Sequence, residues 1–265
     1  MKRLLATALV MAGVGLAMAP ARAYAQGDEI QVYDGGLAPK GVFNLTWHNN
    51  FTPKGVKTPS CPVCVTADRS FNGVTEWAYG VNPWLEMGLY MPLYTHDKNL
   101  GFGYDGFKLR ALVATPNGAD RKVAFGLGFE LGFNADRWDS ADVSSEFRPI
   151  IAWHVNPKWD VIVNPIVDTA YDGFGSMVFA PSSRIAYNAK DGWAVAMETY
   201  SEFGELRGFS PRGEQSHQIF GVLDKVTKNG LELEFGAGAG LTDASDRFVL
   251  KLIVAKDLNK PKTRK

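Results

Sequence analysis

The stretch Lys122-Val123-Ala124-Phe125-Gly126-Leu127-Gly128-Phe129-Glu130-Leu131-Gly132-Phe133-Asn134 decides the fold. Side chains of a strand alternate between faces with a period of two. Val123, Phe125, Leu127, Phe129, Leu131 and Phe133 therefore form one wholly apolar face, and Ala124, Gly126, Gly128, Glu130 and Gly132 form the other. Glycine weakens a strand unless something needs the room, so it is a poor choice for a face that only meets water. A transmembrane β-barrel supplies the reason, because large apolar residues face lipid while small or charged ones face a crowded lumen. A half-buried strand of a soluble β-sandwich is the alternative at this point.

The chain begins with the basic pair Lys2 and Arg3, then an apolar run from Leu4 to Ala19, then the small-residue sites Ala21-Arg22-Ala23 and Ala23-Tyr24-Ala25. That order is a secretory signal peptide over residues 1–25, removed by cleavage after Ala25 or after Ala23. No other stretch is long and apolar enough to cross a membrane as a helix. Barrel strands need only ~9–11 residues each and alternate in polarity, so they escape that test. The 28 Gly, 16 Phe, 9 Tyr and 7 Trp fit the same picture. Charge balances at 28 basic and 28 acidic residues, and loss of Lys2, Arg3 and Arg22 leaves 25 basic against 28 acidic. Nothing implies nucleic-acid binding; the one basic cluster, in a tail over 259–265, reads as a frayed end.

Cys61 and Cys64 are the only cysteines, in Cys-Pro-Val-Cys. A zinc site needs four ligands and no second pair exists. A redox pair opens a helix in a thioredoxin-like setting, whereas this pair sits in a loop rich in Pro and Thr. In an exported chain the spacing predicts a local disulfide. No metal site and no cofactor is implied.

The barrel reading predicts twelve strands: Val42–Thr52, Val74–Val81, Trp84–Thr95, Phe102–Thr115, Lys122–Asn134, Ser145–Val155, Asp160–Ala170, Ser182–Ala189, Trp193–Phe203, Gln215–Thr227, Leu231–Thr242 and Arg247–Lys256. Twelve is even, as in single-chain bacterial barrels. Short turns such as Asn82-Pro83, Lys190-Asp191-Gly192 and Lys228-Asn229-Gly230 follow even-numbered strands, while longer links such as Pro53–Gly73 and Gly204–Glu214 follow odd-numbered ones. Outer-membrane barrels alternate in that way between periplasmic turns and extracellular loops, which sets both termini in the periplasm. The expected organisation is a periplasmic N-terminal segment over 26–40, then an all-β, antiparallel up-and-down barrel over 41–258.

The lipid face is expected to include Leu85, Met87, Leu89, Met91, Leu93, Phe147, Ile151, Trp153, Phe248, Leu250, Leu252 and Val254, with Trp47, Trp84, Trp153, Trp159 and Trp193 as an interfacial girdle. The lumen face is expected to carry Glu86, Lys108, Arg110, Glu130, Glu146, Arg148, Asn164, Asp168, Arg184, Glu198, Glu202, Glu232, Glu234, Arg247 and Lys251. Inside a narrow barrel these charges must pair or meet water, because an isolated buried charge is costly. Glu232 and Glu234 beside Arg247 and Lys251 form a candidate ladder, and Glu130 is expected to face Lys108 or Arg110.

Three functions compete. A channel or facilitator for small polar or organic solutes suits a strand number between filled eight-stranded barrels and wide sixteen-stranded porins. Gly236, Gly238 and Gly240 on the inner face would clear lumen space, and mixed wall charge would give no strong ion selectivity. An outer-membrane hydrolase acting on lipid needs a Ser–His pair oriented by a third group. Of His48, His96, His154 and His217, His48 is the best candidate; Ser216 and His217 are neighbours on a strand and point to opposite faces. A structural surface barrel is the third reading. The partners expected are outer-membrane lipid and lipopolysaccharide, small solutes and the barrel-assembly machinery.

The segments Asp28-Glu29-Ile30-Gln31-Val32-Tyr33-Asp34, Gly41-Val42-Phe43-Asn44-Leu45-Thr46-Trp47-His48-Asn49-Asn50, Glu76-Trp77-Ala78-Tyr79-Gly80-Val81 and Gly88-Leu89-Tyr90-Met91-Pro92-Leu93 resemble a group of uncharacterised proteobacterial outer-membrane barrel proteins. These are similar to transporters linked to the meta-pathway of phenol degradation. The resemblance implies the outer membrane of a Gram-negative bacterium and passage of small organic compounds, and it offers no catalytic residues. It departs at the C-terminus, where such barrels end on an aromatic residue and this chain runs on to Lys265.

Overall fold

The computed structural model describes residues 27–261, so the expected signal peptide and the end of the basic tail lie outside the described residues. The chain forms a closed barrel of twelve antiparallel strands, each bonded to the next. They are β1 (Phe43–Lys54), β2 (Ser70–Asn82), β3 (Leu85–Asp97), β4 (Gly101–Ala114), β5 (Val123–Asn134) and β6 (Val143–Asn156). Three interrupted strands follow: β7 (Trp159–Asn164 and Val167–Thr169), β8 (Val178–Phe179 and Ser182–Asn188) and β9 (Trp193–Glu202 and Gly204–Glu205). Pro165 and Pro181 lie at two of the breaks, where a residue without an N–H cannot extend the ladder. The circuit ends with β10 (Ser216–Val226), β11 (Leu231–Gly240) and β12 (Phe248–Asp257). β12 pairs with β1 from Asn44↔Asp257 to Lys54↔Phe248, which leaves no free edge. Beyond the seam Asn259 still bonds Phe43 N–H and the Gly41 carbonyl, so the tail departs only after the closing strand.

The opening stretch is β5. Its Phe125 and Leu127 are 59 % and 48 % exposed on the outside, while Ala124, Gly128, Glu130 and Gly132 are buried on the inside. Small residues therefore face in and large apolar ones face out, the reverse of a soluble domain and the arrangement that lipid requires. A charge placed on that outer face should cost the fold about 2–4 kcal/mol near the membrane midplane. Leu127→Arg, nearer the middle of the strand, is therefore expected to lower the urea midpoint of the barrel in lipid vesicles, while Leu127→Phe leaves it unchanged.

Two details of the outer face differ from expectation. The register of β3 shifts around Met91-Pro92, and that bulge reverses the alternation. Leu93 thus turns inward and is buried with Thr95 and Asp97, whereas Leu85, Met87, Leu89 and Met91 keep the outer side. Trp84, Trp153, Trp159 and Trp193 do cluster near the turns, but Trp47 lies well inside β1 and donates its indole N–H to the Tyr94 hydroxyl at 2.9 Å. A second set of outward aromatics, including Phe51, Phe71 and Phe102, rings the loop end.

The segment before β1 is not outside the barrel. From Pro39 back to Gly27 the chain runs up the lumen as an extended strap. Near the turns Ala38 N–H donates to Glu86 at 2.5 Å. Further up, Tyr33 N–H donates to Asn164 Oδ1 at 2.7 Å and Asn164 Nδ2 donates back to the Tyr33 carbonyl at 2.9 Å. Arg148 donates to the Gln31 carbonyl at 2.9 Å and Lys251 to the Ile30 carbonyl at 3.0 Å. Toward the loops Asn50 donates to the Asp28 carbonyl at 3.1 Å. Wall side chains thus satisfy the strap's buried backbone, as an unpaired buried amide or carbonyl would be costly. Ile30 and Val32 pack into a cluster with small inward residues, among them Ala124, Ala152, Ala186 and Ala196.

Candidate functional site

The lumen has three levels. A cavity of about 700 Å³ at the turn end is lined by strap residues and by Glu76, Glu86, Arg110, Arg184 and Glu234. A cavity of about 670 Å³ at the loop end is lined by Asp28, Lys108, Glu130, Glu146, Asp168 and the 139–144 and 171–176 loops. Between them the strap and wall meet in a neck. The Tyr33 ring lies between two guanidiniums, 4.5 Å from that of Arg148 and 5.4 Å from that of Arg110, and its hydroxyl meets that of Tyr90 at 2.6 Å.

Most of the expected lumen charges are brought together, in three clusters. At the turn end Arg110 pairs with both Glu76 and Glu86. Near the loop end Lys108 lies 2.8 Å from Asp28 and 3.6 Å from Glu130, which makes Lys108 the partner of Glu130. Arg148 holds Glu146 through two hydrogen bonds of 2.5 and 3.0 Å, a bidentate pair, and reaches Glu29 at 3.9 Å. On the opposite wall Lys251 lies 2.5 Å from both Glu198 and Glu234, and Arg184 pairs with Glu198, Asp224 and Glu234. The Tyr200 hydroxyl also donates to Glu198, at 2.6 Å.

The proposed ladder survives only in its Glu234–Lys251 rung. Arg247 precedes β12, is 64 % exposed and pairs with Asp243 in the last loop at 2.7 Å, so it is not a lumen residue. Glu232 is exposed at the mouth of the turn-end cavity. Glu202 lines a separate pocket of about 130 Å³ beside Gly27. Asp168 lines the loop-end cavity and, among the described residues, forms no ion pair, although Arg148 and Lys108 act on it from a distance.

The inner glycines do not open a pore. A Cβ on Gly236 would stand 2.7 Å from the Lys251 stem, and one on Gly238 would stand 2.4 Å from the Phe220 ring. One on Gly240 would meet the Asp246 carbonyl at 2.4 Å. These positions seat opposing side chains and a loop. Gly128 of β5 differs, since a Cβ there would stand at an ordinary contact distance of 3.5 Å from the base of Arg148.

Cys61 and Cys64 are joined by a disulfide in the β1–β2 loop. Asp246, in the loop between β11 and β12, accepts Val56 N–H of that β1–β2 loop at 2.7 Å, and burial pushes its carboxyl above the ordinary aspartate range. Three of the four histidines find carboxylates or amides: His48 is 3.4 Å from Glu76, His154 is 2.6 Å from Asp160 and His217 is 3.0 Å from Gln215. Among the described residues no serine hydroxyl bonds an imidazole ring.

Sequence reasoning missed the strap's Asp28, Glu29 and Tyr33 and the wall's Glu76 and Tyr90. Glu76 shares the inward parity of Val74 and Ala78 and was readable. The strap's one signal was the Ile30–Val32 alternation, short enough to pass for a loop.

No protein-family model and no curated protein matches this chain. Solved structures do. The COG4313 outer membrane channel from Pseudomonas putida F1 superposes with a TM-score of 0.58 at 16 % identity, over 87 % of this chain and 100 % of that one. The KdgM porin solved with disordered oligogalacturonate gives 0.53 at 8 % identity, over 82 % and 99 %. The CymD monoaromatic hydrocarbon channel gives 0.51 at 9 % identity, over 84 % and 90 %. At these identities the likeness is one of fold, a closed antiparallel β-barrel of the outer-membrane type.

Proposed function

We propose that the protein is an outer-membrane channel or facilitator for small polar or organic solutes, narrowed by its own N-terminal strap. The observation that carries this reading is the pair of cavities, each near 700 Å³, that open toward opposite ends and are separated only by the neck around Tyr33. A barrel whose sole task was to be stable would fill that space with side chains, as eight-stranded barrels do. The fold shared with solved outer-membrane channels supports the reading. In this account the aromatic girdles and apolar belt contact outer-membrane lipid and lipopolysaccharide, the short turns face the periplasm, and the barrel-assembly machinery inserts the chain.

Proteoliposomes carrying the purified barrel should swell when given a small solute such as glycine and stay inert to a tetrasaccharide. Swelling no faster than in empty liposomes for every solute would remove the proposal.

A further inference from the structure

Glu130, Glu146 and Asp168 occupy directly opposed positions on β5, β6 and β7: Glu130 pairs across with Glu146, and Glu146 with Asp168. All three are buried and line the loop-end cavity. Like charges on opposed inward positions repel, so such a row needs cations or protons to answer it. The chain supplies too few cations. Five carboxylates, of Asp28, Glu29, Glu130, Glu146 and Asp168, share the two cations Lys108 and Arg148. Glu146 takes Arg148 by a bidentate bond, and Lys108 is shared by Asp28 and Glu130. Asp168 is left over. It is 6 % exposed, its Oδ2 is buried without a hydrogen-bond partner, and Arg148 and Lys108 act on it only from a distance, their ion pairs being made with Glu146, Asp28 and Glu130.

We infer that the loop-end cavity binds the cationic group of a permeating solute, an ammonium or guanidinium, with Asp168 as the carboxylate that receives it. This rests on the channel reading above. Neighbouring strands lie about 4.8 Å apart, so the row spans roughly 10 Å, the reach of an extended organic cation rather than of one compact ion. Consistent with that, no group of described residues is arranged to hold a metal. The Asp139, Asp142 and Asp172 carboxylates of the surrounding loops draw cations toward the mouth, where the acidic lining outnumbers Lys108 and Arg207. The acidic lining of this cavity would favour cations, where the mixed charge of the whole wall led to an expectation of weak selectivity.

The test is a planar bilayer held under a KCl gradient, with 1,4-diaminobutane added on the loop side. The wild type should prefer potassium over chloride, and the diamine should block it. Asp168→Asn removes a charge that no side chain pairs, so the barrel stays folded, as its heat-shifted mobility on a gel will report. The variant should lose most of the cation preference and need at least about tenfold more diamine for half-block, the weight of one charge-assisted hydrogen bond. Asp172→Asn, at the exposed rim where solvent screens the charge, should change the block far less than Asp168→Asn does. Conductance that is anion-selective, or diamine block equal in wild type and Asp168→Asn, would overturn the inference and leave the channel standing. An equal loss in Asp172→Asn would reduce the effect to diffuse rim charge and overturn the docking role. A membrane that never conducts removes the channel reading, and this inference with it.

Discussion

Lys251→Met is expected to destabilise the barrel by about 3–5 kcal/mol, the usual consequence of removing one partner from a buried ion pair. Lys251 is fully buried, 2.5 Å from both Glu198 and Glu234, and donates to the Ile30 carbonyl of the strap at 3.0 Å. Methionine nearly preserves the length of the side chain, so the Gly236 seat stays filled. Glu198 keeps Arg184 and Tyr200, but that arginine must then serve Asp224 and Glu234 as well. The strap also loses an anchor on the wall opposite Asn164. Urea unfolding in lipid vesicles measures the effect. Arg247→Met, which removes an exposed charge of the last loop, should produce no measurable change. A Lys251→Met midpoint equal to the wild type would show that the cluster on this wall is solvated rather than buried.

The second large effect is expected from the double substitution Ile30→Asp, Val32→Asp. Both side chains sit in the apolar cluster formed by the strap and the inner wall. A carboxylate buried there without a partner costs several kcal/mol, more than the few hydrogen bonds that fasten the strap can supply. The strap should leave the wall while the barrel, closed by its own backbone ladder, persists. Gln31→Cys placed in both backgrounds reads this out, since Cys61 and Cys64 are already paired. A membrane-impermeant maleimide should label that cysteine rapidly in the double variant and at least about tenfold more slowly when the strap is docked, a protection factor equal to ~1.4 kcal/mol of closing free energy. Equal labelling in both would mean that the strap is already mobile.

Much of the wall was legible because a lipid-facing strand obeys a strict rule. Alternation in Lys122–Asn134, the spacing of turns and the even count lead to the observed twelve strands, with ends shifted by a few residues. Charged residues at inward parity could be named for the same reason. The failures have physical causes. Leu93 follows a bulge, and one inserted residue reverses every face after it. Arg247 has inward parity, but its strand begins one residue later, so parity says nothing about it. The glycines of β11 were read as empty space because sequence shows the missing side chain and not the Lys251 or Phe220 that fills the gap. The strap was hardest. It has Gly35, Gly36 and Pro39, the composition of a linker, and its partners are wall side chains 22 to 221 residues away along the chain. Only the runs that are apolar on both faces, such as Ile150-Ile151-Ala152, hinted that part of the inner wall was dry.

Single-channel recording in a planar bilayer tests the central claim, a solute path narrowed by the strap, most directly. The wild type should give discrete, small conductance steps, and the Ile30→Asp, Val32→Asp variant should give steps several times larger as the neck around Tyr33 clears. Silence from both, with gel mobility showing intact barrels, would contradict it.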